Sequence, residues 1–201
     1  MRRLLSLVPL ALLTTPAPAD VVAERTGILE ALALRSGMTV ADVGAGDGRF
    51  SVVLAERVGP GGRVYATEIE QAKLDEIGGR ARDEGLDNVV AVLGDQTSTG
   101  LPEGCCDAIL LRLVYHHFTD PAPMRGSLWA ALRPGGRIAV IDTRPRQDWP
   151  RLSGVPERGG HGIAIDTLLE EMVASGFVVV DRHDAWPGEG DAYCVVFRRP
   201  G

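Results

Sequence analysis

The stretch Val40-Ala41-Asp42-Val43-Gly44-Ala45-Gly46-Asp47-Gly48-Arg49-Phe50 decides how the rest of the chain is read. A strand-like apolar run enters three glycines at alternate positions, Gly44, Gly46 and Gly48, and a helix-like segment follows. Glycine accepts positive φ and lets the backbone approach a ligand closely, because no Cβ intervenes. At a strand-to-helix junction, such a loop is where an α/β protein holds a nucleotide-like ligand. The third glycine comes one position early for the dinucleotide pattern G-x-G-x-x-G, and Arg49 stands where that pattern requires Gly. Asp42 and Asp47 flank the loop, and Asp42 is placed where a carboxylate can face the pocket. Two carboxylates repel a pyrophosphate but suit a ligand carrying positive charge.

Outward from the loop, strand-like segments alternate with helical ones. Strands are expected at Thr39 to Val43, Arg63 to Thr67, Val89 to Leu93, Ala108 to Leu113 and Arg137 to Asp142. Helices are expected at Val22 to Arg35, Gln71 to Glu84 and Pro121 to Leu132. That alternation means βαβ units and a parallel sheet. The pattern changes near the end: a helix from Thr167 to Ser175 precedes strands at Phe177 to Asp181 and Ala192 to Arg198. The link Trp186-Pro187-Gly188-Glu189-Gly190 is too short for a helical crossover, so the last two strands form an antiparallel hairpin. The longest irregular region, Thr143 to Gly162, follows the fifth strand and is expected to cover a substrate.

The loop resembles motif I of the class I S-adenosylmethionine (SAM) methyltransferases, D-V-G-x-G-x-G, and four further segments agree in order. Val64-Tyr65-Ala66-Thr67-Glu68 ends in an acid about 20 residues past the loop, where ribose recognition requires one. Gly94-Asp95 closes the third strand, and Cys106 to Leu111 is similar to motif IV and leads into Val114-Tyr115-His116-His117-Phe118. Leu132-Arg133-Pro134-Gly135-Gly136-Arg137 is similar to the family's LkPGG turn. The resemblance implies a Rossmann-like α/β fold: a mostly parallel seven-stranded sheet, helices on both faces and an antiparallel last strand. It implies SAM as cofactor, with Asp42, Gly44, Gly46 and Gly48 around its amino-acid and ribose portions. Glu68 matches the acid that takes the ribose hydroxyls, and Asp95 the one near the adenine amino group. Arg112, inside an apolar run, needs a partner and is expected near the cofactor carboxylate.

Methyl transfer is an in-line displacement, so the chain must mainly align the reactants and exclude water. A base, where one is used, falls after the fourth or fifth strand. His117 is the stronger candidate of the His116-His117 pair, since one of two neighbours usually faces the core. His161, in Gly159-Gly160-His161-Gly162, is free to approach a ligand. Asp142 can orient an acceptor and Arg144 can hold an anionic one, or the two pair with each other. Tyr115 and Trp149 are candidate pocket walls.

The 201 residues suit one domain, with 45% hydrophobic residues as in ordinary soluble proteins. Twenty-one basic against 27 acidic residues, with no basic run in the body of the chain, argue against a nucleic-acid partner. The Asn/Asp-Pro-Pro-Tyr signature common in enzymes that methylate a base amine is also missing; Arg112-Leu113-Val114-Tyr115 stands there. The expected partner is a small-molecule substrate. Cys105, Cys106 and Cys194 lack metal-ligand spacing, so no metal site is expected. An NAD-dependent oxidoreductase is disfavoured by the early third glycine, the terminal hairpin and the lack of a Tyr-x-x-x-Lys pair.

Residues 1–19 read as a secretory leader, and residues 20–201 as the domain. Arg2 and Arg3 precede an apolar run from Leu4 to Leu13, and Ala17-Pro18-Ala19 forms an A-x-A site. The run is too short to span a bilayer, so no stable membrane anchor is expected. Cleavage would place the protein in the periplasm or outside the cell and move its net charge from −6 to −8; without it, the protein is cytoplasmic. Export conflicts with a cofactor made in the cytoplasm, which leaves a non-catalytic SAM-binding protein as the alternative.

Overall fold

The computed structural model describes residues 19–150, 152–188 and 190–201. The leader reading falls outside these residues apart from Ala19, whose backbone opens the first helix. Helix α1 (Ala19–Ala31) is followed by strand β1 (Thr39–Val43), α2 (Arg49–Val58), β2 (Arg63–Glu68), α3 (Gln71–Asp83) and β3 (Val89–Leu93). Then come β4 (Cys106–Arg112), a 3-10 turn (Tyr115–His117), α4 (Pro121–Ala131), β5 (Leu132–Thr143), α5 (Ile165–Ala174), β6 (Val178–His183) and β7 (Ala192–Arg198).

The strands form one seven-stranded sheet in the order β3-β2-β1-β4-β5-β7-β6. All neighbours from β3 to β5 pair parallel, while β7 lies antiparallel between β5 and β6. The hairpin expected from the short Trp186 link is present, closed by the Trp186 N–H donating to the Ala192 carbonyl at 2.8 Å.

Period-two alternation distributes the core over both faces of the sheet. On β4, Ile109 and Leu111 pack with Leu128, Leu168 and Phe177 from the side of α4 and α5. Ala108 and Leu110 pack on the opposite face with Ile28, Leu54 and Val58 from α1 and α2. On α2, the buried Phe50, Val53, Leu54 and Val58 follow helical spacing and form the stripe that faces the sheet. Fully burying each such side chain contributes roughly 1.5–3 kcal/mol. Among the described residues, no helix is long and apolar enough to cross a membrane.

Several boundaries differ from the sequence reading, helix α1 for example ending at Ala31 rather than Arg35, and two of the shifts have a visible cause. Strand β5 begins at Leu132, because the Pro-Gly-Gly turn is held against the sheet, with the Gly135 N–H donating to the Arg199 carbonyl. Phe177 lies just before β6 rather than within it, and its ring is buried against Trp129. The sheet order reverses direction between β1 and β4, and a crevice at the carboxyl ends of strands beside such a point is the usual ligand site.

Candidate functional site

The glycine loop is fastened to the end of β2. The N–H groups of Gly44 and Ala45 both donate to the Thr67 carbonyl at 3.0 Å, and that of Gly46 donates to Glu68 Oε1 at 2.7 Å. Glycine is required at position 44, where φ is +70° and a Cβ would run into the side chain of Val114. At Gly46 a Cβ would meet nothing within 4 Å, so the backbone there borders open space. Gly48 sits at the N-cap of α2, against Ile77.

Beside this loop lies a cavity of about 370 Å³, lined by Gly44, Glu68, Asp95, Val114, His117 and Met124 among others. The Glu68 carboxylate is held at its rim by the N–H groups of Gly46 and Ile69. Asp95 Oδ1 accepts from the N–H and hydroxyl of Thr97 and from the Ser98 N–H. These bonds, led by the Thr97 backbone, hold the Asp95 carboxyl below the usual range. The expected cofactor residues Gly44, Glu68 and Asp95 therefore converge on one cavity. Its size fits a nucleoside ligand of the SAM kind, whereas Gly46 and Gly48 belong to the adjoining loop and do not line it.

A second cavity of about 420 Å³ adjoins the first and is lined by His116, His117, Thr143, Arg146, Trp149 and His161 among others. Leu113 and His117 line both cavities and so form the wall between them. Leu113 adopts φ +53°, a strained conformation for a leucine, as its N–H donates to the Ile141 carbonyl at 2.7 Å.

Three imidazoles meet at this wall. The His116 and His161 Nε2 atoms are 3.1 Å apart, and the rings of His116 and His117 lie 4.2 Å apart centre to centre. His161 arrives from the irregular region after β5, which folds back through a two-way backbone pairing between Arg146 and His161. The flanking Gly160 and Gly162 have φ of +146° and +113°, and a Cβ on either would strike the backbone of residues 143–146. Glycine on both sides is what lets His161 lie flush on the segment that follows β5. Partial desolvation, with help from His116, pushes the His117 pKa down to about 4, so its ring is neutral near neutral pH.

Other expected site residues are placed differently. Asp42 does not line either cavity; it is buried beneath the loop, accepting from the Ser51 hydroxyl at 2.6 Å. Burial is the main cause that pushes its pKa up to about 6. Arg112 is gripped side-on by Glu24 of α1, with Nε at 2.7 Å, and stacks on Phe50. It borders a separate small pocket instead of the main cavity. Asp142 is fully buried and contacts neither an acceptor site nor Arg144: its partners are the His116 ring at 2.6 Å and the N–H groups of His116 and Thr143. Arg144 instead donates to the carbonyls of Asp184 and Asp191. Tyr115 belongs to the core, its hydroxyl donating to Glu171, whereas Trp149 does wall the second cavity. Leu113 and the Pro150 carbonyl, which faces His161 Nδ1 at 2.9 Å, carry no signal in the sequence.

Residues 34–173 match the family described as "methyltransferase domain". The chain is 30% identical over 148 residues to the nocamycin O-methyltransferase of Saccharothrix syringae, covering 74% of this chain and 52% of that protein. It is 24% identical to the demethylmenaquinone methyltransferase of Anoxybacillus flavithermus over 61% of this chain and 52% of that one. This chain thus spans about half the length of these relatives. A SAM-dependent methyltransferase from Aquifex aeolicus superposes with a TM-score of 0.74 at 22% identity, over 90% of this chain and 93% of the other.

Proposed function

Because this chain belongs to the class I SAM-dependent methyltransferase family, we propose that it transfers a methyl group to an oxygen of a small-molecule acceptor held in the second cavity. The observation that carries this reading is the shared wall: His117 and Leu113 separate a cavity lined by the cofactor-type residues from one lined by imidazoles and Trp149. SAM, when bound, supplies a methyl on a positively charged sulfur. Everything else falls to the chain. Glu68 would hold the ribose hydroxyls and Asp95 the adenine side, while the ionised form of Asp42 adds negative charge beneath the loop.

Across the wall, Trp149 offers a flat apolar face and Arg146 a cation stacked on it at 4.7 Å, a surface suited to a ring-bearing acceptor. An acceptor hydroxyl is a weak nucleophile until its proton leaves, and the imidazole cluster is the group in reach to accept it. The buried Asp142 touches no acceptor; it positions His116.

The test uses the full chain in a calorimeter with SAM, S-adenosylhomocysteine and NAD. Micromolar binding of the first two and silence towards NAD is the expected result. A screen of phenolic and enolic acceptors for release of S-adenosylhomocysteine then follows, in which His117→Ala should lower turnover and leave SAM affinity unchanged. A folded chain that binds neither SAM nor its product would overturn the proposal, and binding without turnover would favour a non-catalytic SAM-binding protein.

A further inference from the structure

We propose that His116, His117 and His161 form a site for a divalent transition-metal ion of the zinc class, with an open position facing the second cavity. The proton inventory of the rings leads there. A carbonyl oxygen only accepts, so His161 Nδ1, 2.9 Å from the Pro150 carbonyl, carries a proton. Asp142 Oδ1 already accepts from the Thr143 N–H, and Oδ2 from the His116 N–H, so this carboxylate also acts as acceptor towards His116 Nδ1 at 2.6 Å. In the neutral rings both Nε2 atoms then present lone pairs, and they face each other at 3.1 Å. Two lone pairs at that distance repel unless a proton or a metal ion lies between them, and the third imidazole beside the pair favours the metal.

The spacing suits a metal. Two nitrogens each about 2.0–2.1 Å from a tetrahedral zinc lie about 3.3 Å apart. One ring nitrogen of His117 completes a set whose ligand atoms all fall within 4.8 Å of one another. Metal-bound histidines usually donate their second nitrogen to a carboxylate or a backbone carbonyl, and here Asp142 and Pro150 supply one of each. Three imidazoles select zinc-like ions over magnesium or calcium, and three protein ligands leave a fourth position for water or substrate. An acceptor oxygen bound there would lose its proton readily to solvent water, the metal then taking the place of the imidazole base; that use rests on the methyltransferase reading, whereas the site itself does not.

The experiment therefore omits SAM. The untagged full chain, stripped with a chelator, is titrated with Zn²⁺ by calorimetry and with Co²⁺ by visible absorption. One equivalent should bind, Co²⁺ giving the intense spectrum of a tetrahedral site. His161→Ala and His117→Ala should each weaken binding at least 100-fold while circular dichroism shows an unchanged fold, and Asp142→Asn should weaken it about 10- to 100-fold. The two histidine variants back each other up, since His161 pairs with Arg146 through its backbone alone and the His117 side chain is exposed. A folded chain that binds neither ion would overturn the site, as would either variant binding like the wild type. So would ¹⁵N spectra, recorded with zinc present, that show a proton shared between His116 and His161.

Discussion

Replacing Asp42 with Asn isolates the cost of the charge buried beneath the glycine loop. The side chain is 2% exposed, and its one hydrogen bond to another side chain comes from Ser51. Burial pushes its pKa from 3.8 to about 6 against the pull of that bond; Glu68 and Asp47 add to the rise, and Arg112 opposes it. A change of that size corresponds to about 3 kcal/mol. Below about pH 4 the carboxyl is protonated in folded and unfolded chains alike, and its contribution to stability is intact. As the pH rises, the unfolded chain releases its proton first, which favours unfolding, and above about pH 6 the whole of the about 3 kcal/mol is lost.

Urea denaturation of the wild type and Asp42→Asn between about pH 4 and about pH 8 measures this directly. The difference should grow with pH in favour of the Asn variant and level off above about pH 6. A poorer hydrogen bond from Ser51 would shift every point by the same amount and leave the slope intact. Other titrating groups are common to both chains and largely cancel in the difference. The variant should nevertheless bind SAM about tenfold more weakly, a loss of about 1.4 kcal/mol, because the charge complementary to the ligand is gone. A stability difference that stays flat across the pH range would refute the buried-charge account.

Glu68→Ala should weaken SAM binding by about 1–3 kcal/mol, read by calorimetry, while Glu68→Gln, which still accepts from the Gly46 N–H, should lose less. Glu24→Ala removes the carboxylate that grips Arg112, whose side chain is 11% exposed, and should lower stability by about 3–5 kcal/mol. Replacing both residues with Met should recover most of that loss, and a double variant as unstable as the single one would rule out the ion pair as the cause. Tyr115→Phe should lower stability by about 1 kcal/mol with no change in SAM affinity, since its hydroxyl bridges Glu171 and Arg125 away from the cofactor cavity. A loss of SAM affinity in that variant would return Tyr115 to the pocket wall.

The strand-loop-helix unit at Val40–Phe50 was legible because its constraints are local. The φ of +70° that favours glycine at position 44 belongs to the turn itself, although the Cβ clash there is with the distant Val114, and the acid at Glu68 follows at the spacing one βα unit imposes. The terminal hairpin was legible for the same kind of reason, a link too short for anything else. Arg112 and Asp142 were misplaced because each is decided by a residue distant in sequence or by its exact height in the sheet. Glu24 lies 88 positions from Arg112 and belongs to a helix whose docking no motif announces. Asp142 sits one residue before the end of β5, beside the turn that carries His116, so it meets an imidazole before it can meet a ligand.

The histidine cluster shows the same limit most sharply. Metal spacing in a sequence is readable when ligands share a turn or a hairpin, and the three cysteines lack such spacing. His116 and His161 are 45 residues apart and meet only because a long irregular segment pairs its two ends at Arg146 and His161. What could be read was the permissive part: glycines on both sides of His161, whose positive φ allows contact that any side chain would block. A histidine between two such glycines is better regarded as one delivered to a site than as one left exposed on a loop. The distinction is physical, because backbone held flush against the segment at Arg146 fixes the ring to within a hydrogen bond of its partners. An exposed loop histidine would have neither the pairing nor the need for it.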